Sequence, residues 1–350
     1  MAPITLVRQR LDLVLASPWT IARGTRRTAE NVLVRLRWRA PDGRELEGLG
    51  EAAPYPYYGE LRGTVEACLD AFAPLLGDDP FALDAVLAAC DARVRHNPAA
   101  KAAIDLALHD LLGKVLDRPL WQLWGLDPGR GPLTSYSIGL DTPEAMAQKA
   151  RDAASFPLLK IKLGAPPGPE HDLAIMRAVR EARPDARLIV DANTAWTPKQ
   201  AVRVLPELEK LGVELVEQPV AAYDRDGLRY VRESSRLAIV ADESCATEDD
   251  VVALAGCVDG INVKLMKCGG LRRAHRVIEV ARAHHLLVMC GCLIESSLAI
   301  TAASQLLPLL DYADLDGNLL LAHDPFEGVR CDAGRLILPH RPGLGVIERP

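Results

Sequence analysis

From about residue 134 onward, short apolar or β-branched runs alternate with helical stretches: TSYSIGL, LLKIKLG, RLIVDAN, ELVEQP, LAIVADES, GINVKLMK, LLVMCGC and YADLDG. Strand and helix alternating at this interval predict βαβ units on a parallel sheet, and about eight repeats are what a closed (β/α) barrel requires. Ahead of them, ITLVRQRLDLVL, NVLVRLRWRA and ELEGLGEAA read as antiparallel strands, the last two joined by a turn at Asp42-Gly43. Between about 60 and 125 the apolar spacing becomes helical, ending in AAKAAIDLALHDLLGKVLDRPLWQLWG. The tail is rich in Gly and Pro, carries a strand-like RLILP and is too short for a domain, so it is expected to return to the first one. The reading is an α/β chain: an α+β unit over 1–125, a barrel over 126–316 and a returning segment over 317–350.

Length agrees, since 350 residues at roughly 150 per domain suggest about two. Lys and Arg number 41 against 47 Asp and Glu, so no basic excess is available for a phosphate backbone and nucleic acid is not an expected partner. No apolar run approaches the ~20 residues of a membrane span, and MAPITLVRQRLDLVL lacks the basic stretch and apolar core of a leader. A cytoplasmic enzyme is the expectation. The eight cysteines form no CxxC pair, which suits a reducing compartment and argues against structural zinc. His284-His285 reads as a helix end.

The polar residues that interrupt the barrel runs change the picture. Lys160 and Lys162 end the second run, Asp191 the third, Glu217 the fourth, Asp242 the fifth, Lys267 the sixth, and Asp314 and Asp316 the eighth. In a barrel, strand C-termini face one shared pocket, so these residues should converge. Each has a bland alternative. An Asp after a strand commonly caps a helix, and a strand-end Lys is commonly solvated. That alternative has to hold at every strand at once. Three carboxylates without a matching histidine or thiolate favour Mg²⁺, with Mn²⁺ as a substitute, over zinc. Lysines on either side of such an ion suggest proton transfer at a carbon next to a substrate carboxylate, through a metal-stabilised enediolate. Lys160 and Lys162 share parity, so both should point inward, and neighbouring cations should help keep Lys162 partly neutral as a base.

These residues stand in motifs that resemble the enolase superfamily, in its muconate-lactonising subgroup: Lys160-Ile-Lys162, Asp191-Ala-Asn193, Glu217-Gln-Pro, Ala-Asp242-Glu243-Ser and Lys264-Leu-Met-Lys267-Cys-Gly-Gly. The similarity spans essentially the whole chain. It implies a modified (β/α)7β TIM-type barrel under an α+β cap built from both termini. It also implies Asp191, Glu217 and Asp242 as Mg²⁺ ligands, Lys162 and Lys267 as the acid/base pair, and Asn193 and Lys264 in support behind them.

Asp314-Leu-Asp316 further resembles the pair by which dipeptide epimerases hold a substrate's α-ammonium group, as do GCLIESS and GEAAPYPYYGE. Two carboxylates at i and i+2 can clasp one cation, although a capped turn at Leu-Asp-Gly would explain them too. Lys160 is expected to bind substrate. IARGTRR offers Arg23, Arg26 and Arg27 on a loop between two strands, and Arg23 or Arg26 is expected to meet an acidic side chain of the substrate, as in Ala-Glu epimerases; a solvated loop is the alternative. Cys292 and Ile294 are expected to line the pocket. The expected partner is a dipeptide of the Ala-Glu kind, epimerised at the Cα of its second residue, and self-association is left open. The competing activities are N-acylamino acid racemase, o-succinylbenzoate synthase and muconate cycloisomerase on the same site, whose substrates lack a free ammonium. A lysine Schiff-base barrel would leave the three carboxylates unexplained, and a non-catalytic scaffold would leave the whole polar set without a purpose.

Overall fold

Strands β1 (Thr5–Ile21), β2 (Gly24–Arg39) and β3 (Glu45–Ala52) form an antiparallel sheet in the order β1-β2-β3, in a computed structural model that describes residues 3–350. Along β1, Leu11, Leu13 and Leu15 are buried while Asp12 and Val14 are exposed, the period-two pattern of a sheet with one covered face. Pairing of β1 with β2 shifts register between Val14 and Trp19, where Ala16-Ser17-Pro18 intervenes and proline offers no amide. Beyond that bulge the ladder resumes and runs to Ile21 opposite Gly24. The expected arginine loop is therefore a hairpin with a two-residue turn at Ala22-Arg23, and Arg26 and Arg27 lie on β2 itself.

Helices α1 (Arg62–Phe72), α2 (Leu83–Arg93) and α3 (Pro98–Val115) complete this unit. α3 is buried continuously from Ala99 to Leu111, a stretch rich in alanine and leucine that takes Lys101, Asp105, His109 and Asp110 into the interior with it. Its backbone touches β3 so closely that a Cβ on Gly48 or Gly50 would overlap the carbonyl of Ala107 or Ala103. Two buried aspartates of α3 join the parts of the molecule. Asp110 accepts from the amides of Leu49 and Leu344, each at 2.8 Å, and Asp105 accepts from Leu271 and Arg272 at the start of a barrel helix.

Eight parallel strands follow: β4 (Tyr136–Ile138), β5 (Leu158–Lys162), β6 (Arg187–Asp191), β7 (Val213–Glu217), β8 (Ala238–Ala241), β9 (Gly260–Val263), β10 (Leu287–Gly291) and β11 (Tyr312–Asp314), each hydrogen-bonded to the next in chain order. A bridge between Thr134 and Ala313, with the Ser135 amide donating to the Ala313 carbonyl at 2.9 Å, closes the ring. Inside, Leu158, Ile189, Leu215, Val240 and Met289 form an apolar floor. Side chains two residues further along a strand face the same way, so Lys160, Asp191, Glu217 and Asp242 stand directly above that floor. The C-terminal segment contacts both units: the Ala322 amide donates to Val14, Glu348 pairs with Arg35 at 2.7 Å, and the Gly334 carbonyl accepts from Thr134. Among the described residues no helix is long and apolar enough to cross a membrane.

Candidate active site

Above the apolar floor, one carboxylate oxygen from each of Asp191, Glu217 and Asp242 lies within 4.8 Å of the other two, and all three residues are buried. Their strands are consecutive, so the parity that buries the floor also stacks the acids. Such crowding needs positive charge. Lys162 Nζ lies 2.6 Å from Asp191 Oδ2, and Lys264 Nζ lies 2.8 Å from Asp242 Oδ2. Lys160 Nζ sits between Glu217 Oε2 and Asp314 Oδ2, 2.6 Å from each. Even so, Glu217 Oε2 has no hydrogen-bond donor in good geometry, and burial together with Asp191 pushes the Glu217 carboxyl up to about 7. Burial works against ionising Asp242 as well, but Lys264 and Lys267 outweigh it and hold its pKa well below the usual carboxylate range. Three hard oxygen donors, one of them held by an ion pair without a well-aligned hydrogen bond, fit a divalent cation such as Mg²⁺.

A cavity of about 480 Å³ opens over this cluster between the barrel mouth and the cap. Lys162 and Lys264 line it from strands four places apart in a ring of eight, hence from opposite sides. Asp314, Asp316 and Ser137 line it from the closing strands, Cys292 and Ile294 from the loop after β10, and Trp19, Arg23, Arg26, Tyr55 and Tyr57 from the cap. The two aspartates differ. Asp314 receives Lys160 on Oδ2 and the hydroxyls of Ser135 and Ser137 on Oδ1; burial disfavours its charge, but Lys160 prevails and holds it at about 2. Asp316 receives the Ser137 amide at 2.6 Å, and burial with the neighbouring Asp314 pushes it up to about 7.

The "Mandelate racemase / muconate lactonizing enzyme, N-terminal domain" family matches residues 4–125, and the "Enolase C-terminal domain-like" family matches residues 144–347. The chain belongs to the enolase superfamily. It is 38% identical to the L-Ala-D/L-Glu epimerase of Bacteroides thetaiotaomicron, across 96% of this chain and 86% of that protein. The dipeptide epimerase of Enterococcus faecalis V583, solved with Mg and the dipeptide L-Leu-L-Tyr, superposes at a TM-score of 0.92 with 36% identity over 99% of both chains. The substrate-liganded L-Ala-D/L-Glu epimerase of Bacillus subtilis gives 0.93 with 32% identity, again over 99% of both. The resemblance expressed by the motifs holds, and this enolase-superfamily chain is an isomerase.

Not every expected site residue stands where the sequence suggests. Lys267 is not at a strand end. β9 stops at Val263, the chain turns into a short helix over Leu265–Cys268, and the left-handed Gly269 closes that turn. Lys267 Nζ is thereby led away from the cavity into four acceptors: Asp242 O and Oδ1, Asn262 O and Cys245 O. Lys264 takes the cavity position that Lys267 was expected to fill. Lys160 is fully buried beneath the cavity wall, where Asp191, Glu217 and Asp314 surround it, and no side of it is open to a substrate. Asn193 lines the cavity, and its amide and side chain both donate to Asp191. Arg23 and Arg26 both reach the cavity rim, but Arg23 pairs with Glu243 at 2.6 Å, whereas Arg26 lies over the Tyr55 ring and no carboxylate pairs with it among the described residues. The sequence assigns no role to Ser135, Ser137 or Asn262, and it shows Glu243 only as part of a motif. Parity could have found two of them: Ser137 faces inward beside Lys160 in the β4–β5 register, and Asn262 shares a face with Lys264 and donates to Glu217 at 2.7 Å.

Proposed function

We propose that this chain is a Mg²⁺-dependent dipeptide epimerase that inverts Cα of the second residue by proton transfer between two lysines, Lys162 and Lys264. Asp191, Glu217 and Asp242 would hold the ion, with Asn193, Asn262 and Lys267 fixing the carboxylates. When bound, the ion supplies positive charge to the substrate's C-terminal carboxylate and so acidifies the adjacent Cα–H. Lys162, unprotonated, takes that proton on one face; Lys264, protonated, returns one to the opposite face, and the roles exchange for the other epimer. Each inversion moves one proton on and one proton off, so the lysines must re-equilibrate with solvent before the same direction runs again. Lys160 remains a cation throughout, because the attraction of Asp314 and Glu217 outweighs its burial and raises its pKa.

The substrate's α-ammonium goes to Asp316, the cavity-lining carboxylate with no cation paired to it among the described residues, with Asp314 braced beside it by Lys160. Arg26 is the cap arginine open to an acidic second residue, so an uncharged first residue followed by Glu or another non-basic residue is the preferred substrate. What carries the reading is two lysines that line one cavity from opposite sides and are each ion-paired to a buried cluster of three carboxylates, with an acidic pair lining the same cavity.

The test is incubation in D₂O with Mg²⁺ and L-Ala-L-Glu, L-Ala-L-Phe, L-Ala-L-Lys or their N-acetyl forms. The expected result is deuterium at Cα of the second residue together with the second diastereomer, with the free dipeptides preferred over the N-acetyl compounds. Preference for N-acetyl substrates would make the chain an acylamino acid racemase, and a preference for Lys would overturn the role of Arg26.

A further inference from the structure

Arg23 sits at the turn of the β1–β2 hairpin, on the cap with Tyr55 beside it, yet the two hydrogen bonds of its Nη1 both go to the barrel. Nη1 donates to Glu243 Oε1 at 2.6 Å and to the Asn193 carbonyl at 3.2 Å. The Glu243 side chain is 0% exposed, so its charge depends on that guanidinium. Both contacts neighbour the metal cluster in sequence: Glu243 follows Asp242, and Asn193 lies two residues beyond Asp191. Asn193 also bridges them, its Nδ2 standing 3.1 Å from Asp191 Oδ2 and 3.3 Å from Glu243 Oε1. Asn193 and Thr194 hold positive φ angles of 45° and 71°, a conformation that non-glycine residues keep when their surroundings over-determine it. On the cap side, the Tyr57 ring packs under the guanidinium at 4.5 Å. The rest of the hairpin follows the same path, with the Leu140 amide donating to Thr20 at 2.8 Å and Trp19 lying against Gly139.

We infer that Arg23 and Glu243 form a latch that fixes the β1–β2 hairpin in register with the two barrel loops that follow Asp191 and Asp242, making Arg23 a positioning residue rather than a substrate contact. This rests on the proposed dipeptide site, whose wall the hairpin forms and whose specificity Arg26, on the same hairpin, would set. A substrate carboxylate cannot engage Arg23 without releasing a buried glutamate, which costs more than it gains. The latch therefore acts on every dipeptide alike, because it sets where the wall and Arg26 stand.

The test is a double-mutant cycle of Arg23→Met and Glu243→Gln on the full chain, read two ways. For turnover, each single variant should raise KM about tenfold for L-Ala-L-Glu and L-Ala-L-Phe equally, with kcat moved much less, and the double variant should match the singles. For proteolysis, trypsin should cut after Arg26 or Arg27 about tenfold faster in each single variant and no faster in the double. Arg23→Lys, which keeps the charge, should recover part of both effects. Additive effects, or a loss confined to L-Ala-L-Glu in Arg23→Met with Glu243→Gln unchanged, would overturn the latch. A lowered melting temperature with KM and tryptic rate unmoved would reduce the pair to ordinary packing and overturn it as well. Should the parent chain turn over no dipeptide, the functional reading fails alone, and the tryptic cycle still decides the latch.

Discussion

Lys264 and Lys267 are three residues apart, and their surroundings separate their roles. Lys264 meets one carboxylate oxygen and opens onto the cavity, so Lys264→Ala and Lys162→Ala should each abolish epimerisation, by at least about 10³-fold in kcat, as expected for loss of a positioned acid or base. Each should still exchange the α-proton of one epimer with D₂O, and loss of all exchange in both would argue against the two-base scheme. Lys267 has its ammonium in four acceptors, two of them on Asp242. Lys267→Met should leave those acceptors buried and unpaired, costing about 3 kcal/mol or more of stability and weakening Mg²⁺ binding measured by calorimetry. Unchanged stability in that variant would sink this assignment. Asp316 gives a pH test. Burial and Asp314 raise its pKa to about 7 from an ordinary carboxylate near 4, so the folded chain keeps a proton that the unfolded chain has lost. Its contribution to stability therefore falls as pH rises from about 4 through about 7. Asp316→Asn should gain stability relative to the parent over that window and show no difference below it. Substrate binding runs the opposite way: an ammonium needs ionised Asp316, so KM should fall as pH approaches 7 and lose that dependence in Asp316→Asn.

The elements were legible where side-chain period speaks and obscure where the backbone changes course. Eight strands could be read because apolar runs such as RLIVD and GINV are short, β-branched and bounded by turn residues, and the acids at their ends follow from parity. IARGTRR lies between two apolar runs and reads as a loop, whereas the structure carries the ladder through it, with Ser17-Pro18 absorbed as a bulge and Gly24-Thr25 as strand. Lys267 continues the roughly 25-residue spacing of the other strand-end groups, and only the helical turn ending at Gly269 sets it aside. Contact between elements left a weaker trace in the sequence. Nothing in ELEGLGEA signals that Gly48 and Gly50 are where β3 lies against the α3 backbone. Gly50→Ala should force sheet and helix apart at a cost of about 3 kcal/mol, at the upper end of overpacking penalties, measured by denaturant unfolding. Gly63→Ala, on the open side of α1 where an added Cβ meets nothing within 4 Å, is the control and should be neutral or slightly stabilising. Equal losses in the two variants would mean that the close approach is not what requires glycine.

On the scale of the molecule, the cap reaches the barrel through a few buried polar joints, and the site lies where they meet. Asp105 and Asp110 bind α3 to the barrel and the tail, and Glu51 of β3 accepts from Asn31 and from Ser296 at the barrel mouth. Below that seam the three carboxylates of the triad stay close at an energetic cost, which Glu217 displays by rising to about 7 under burial and the charge of Asp191. An ion that binds the folded chain and has little affinity for the unfolded one should offset part of that cost, by about 2.7 kcal/mol at a hundredfold excess over its dissociation constant. Adding Mg²⁺ to EDTA-treated protein should therefore raise the melting temperature by several degrees. Glu217→Gln removes a ligand charge and also the repulsion, so two opposite shifts are expected: the metal-free variant should melt at or above the metal-free parent, and Mg²⁺ should move it far less. Thermal unfolding of both proteins across a Mg²⁺ titration measures the pair of shifts without any turnover assay. If Mg²⁺ stabilised Glu217→Gln as strongly as the parent, the ion would be binding elsewhere, and the three strand ends would have to be explained as an ion-pair network with the lysines alone.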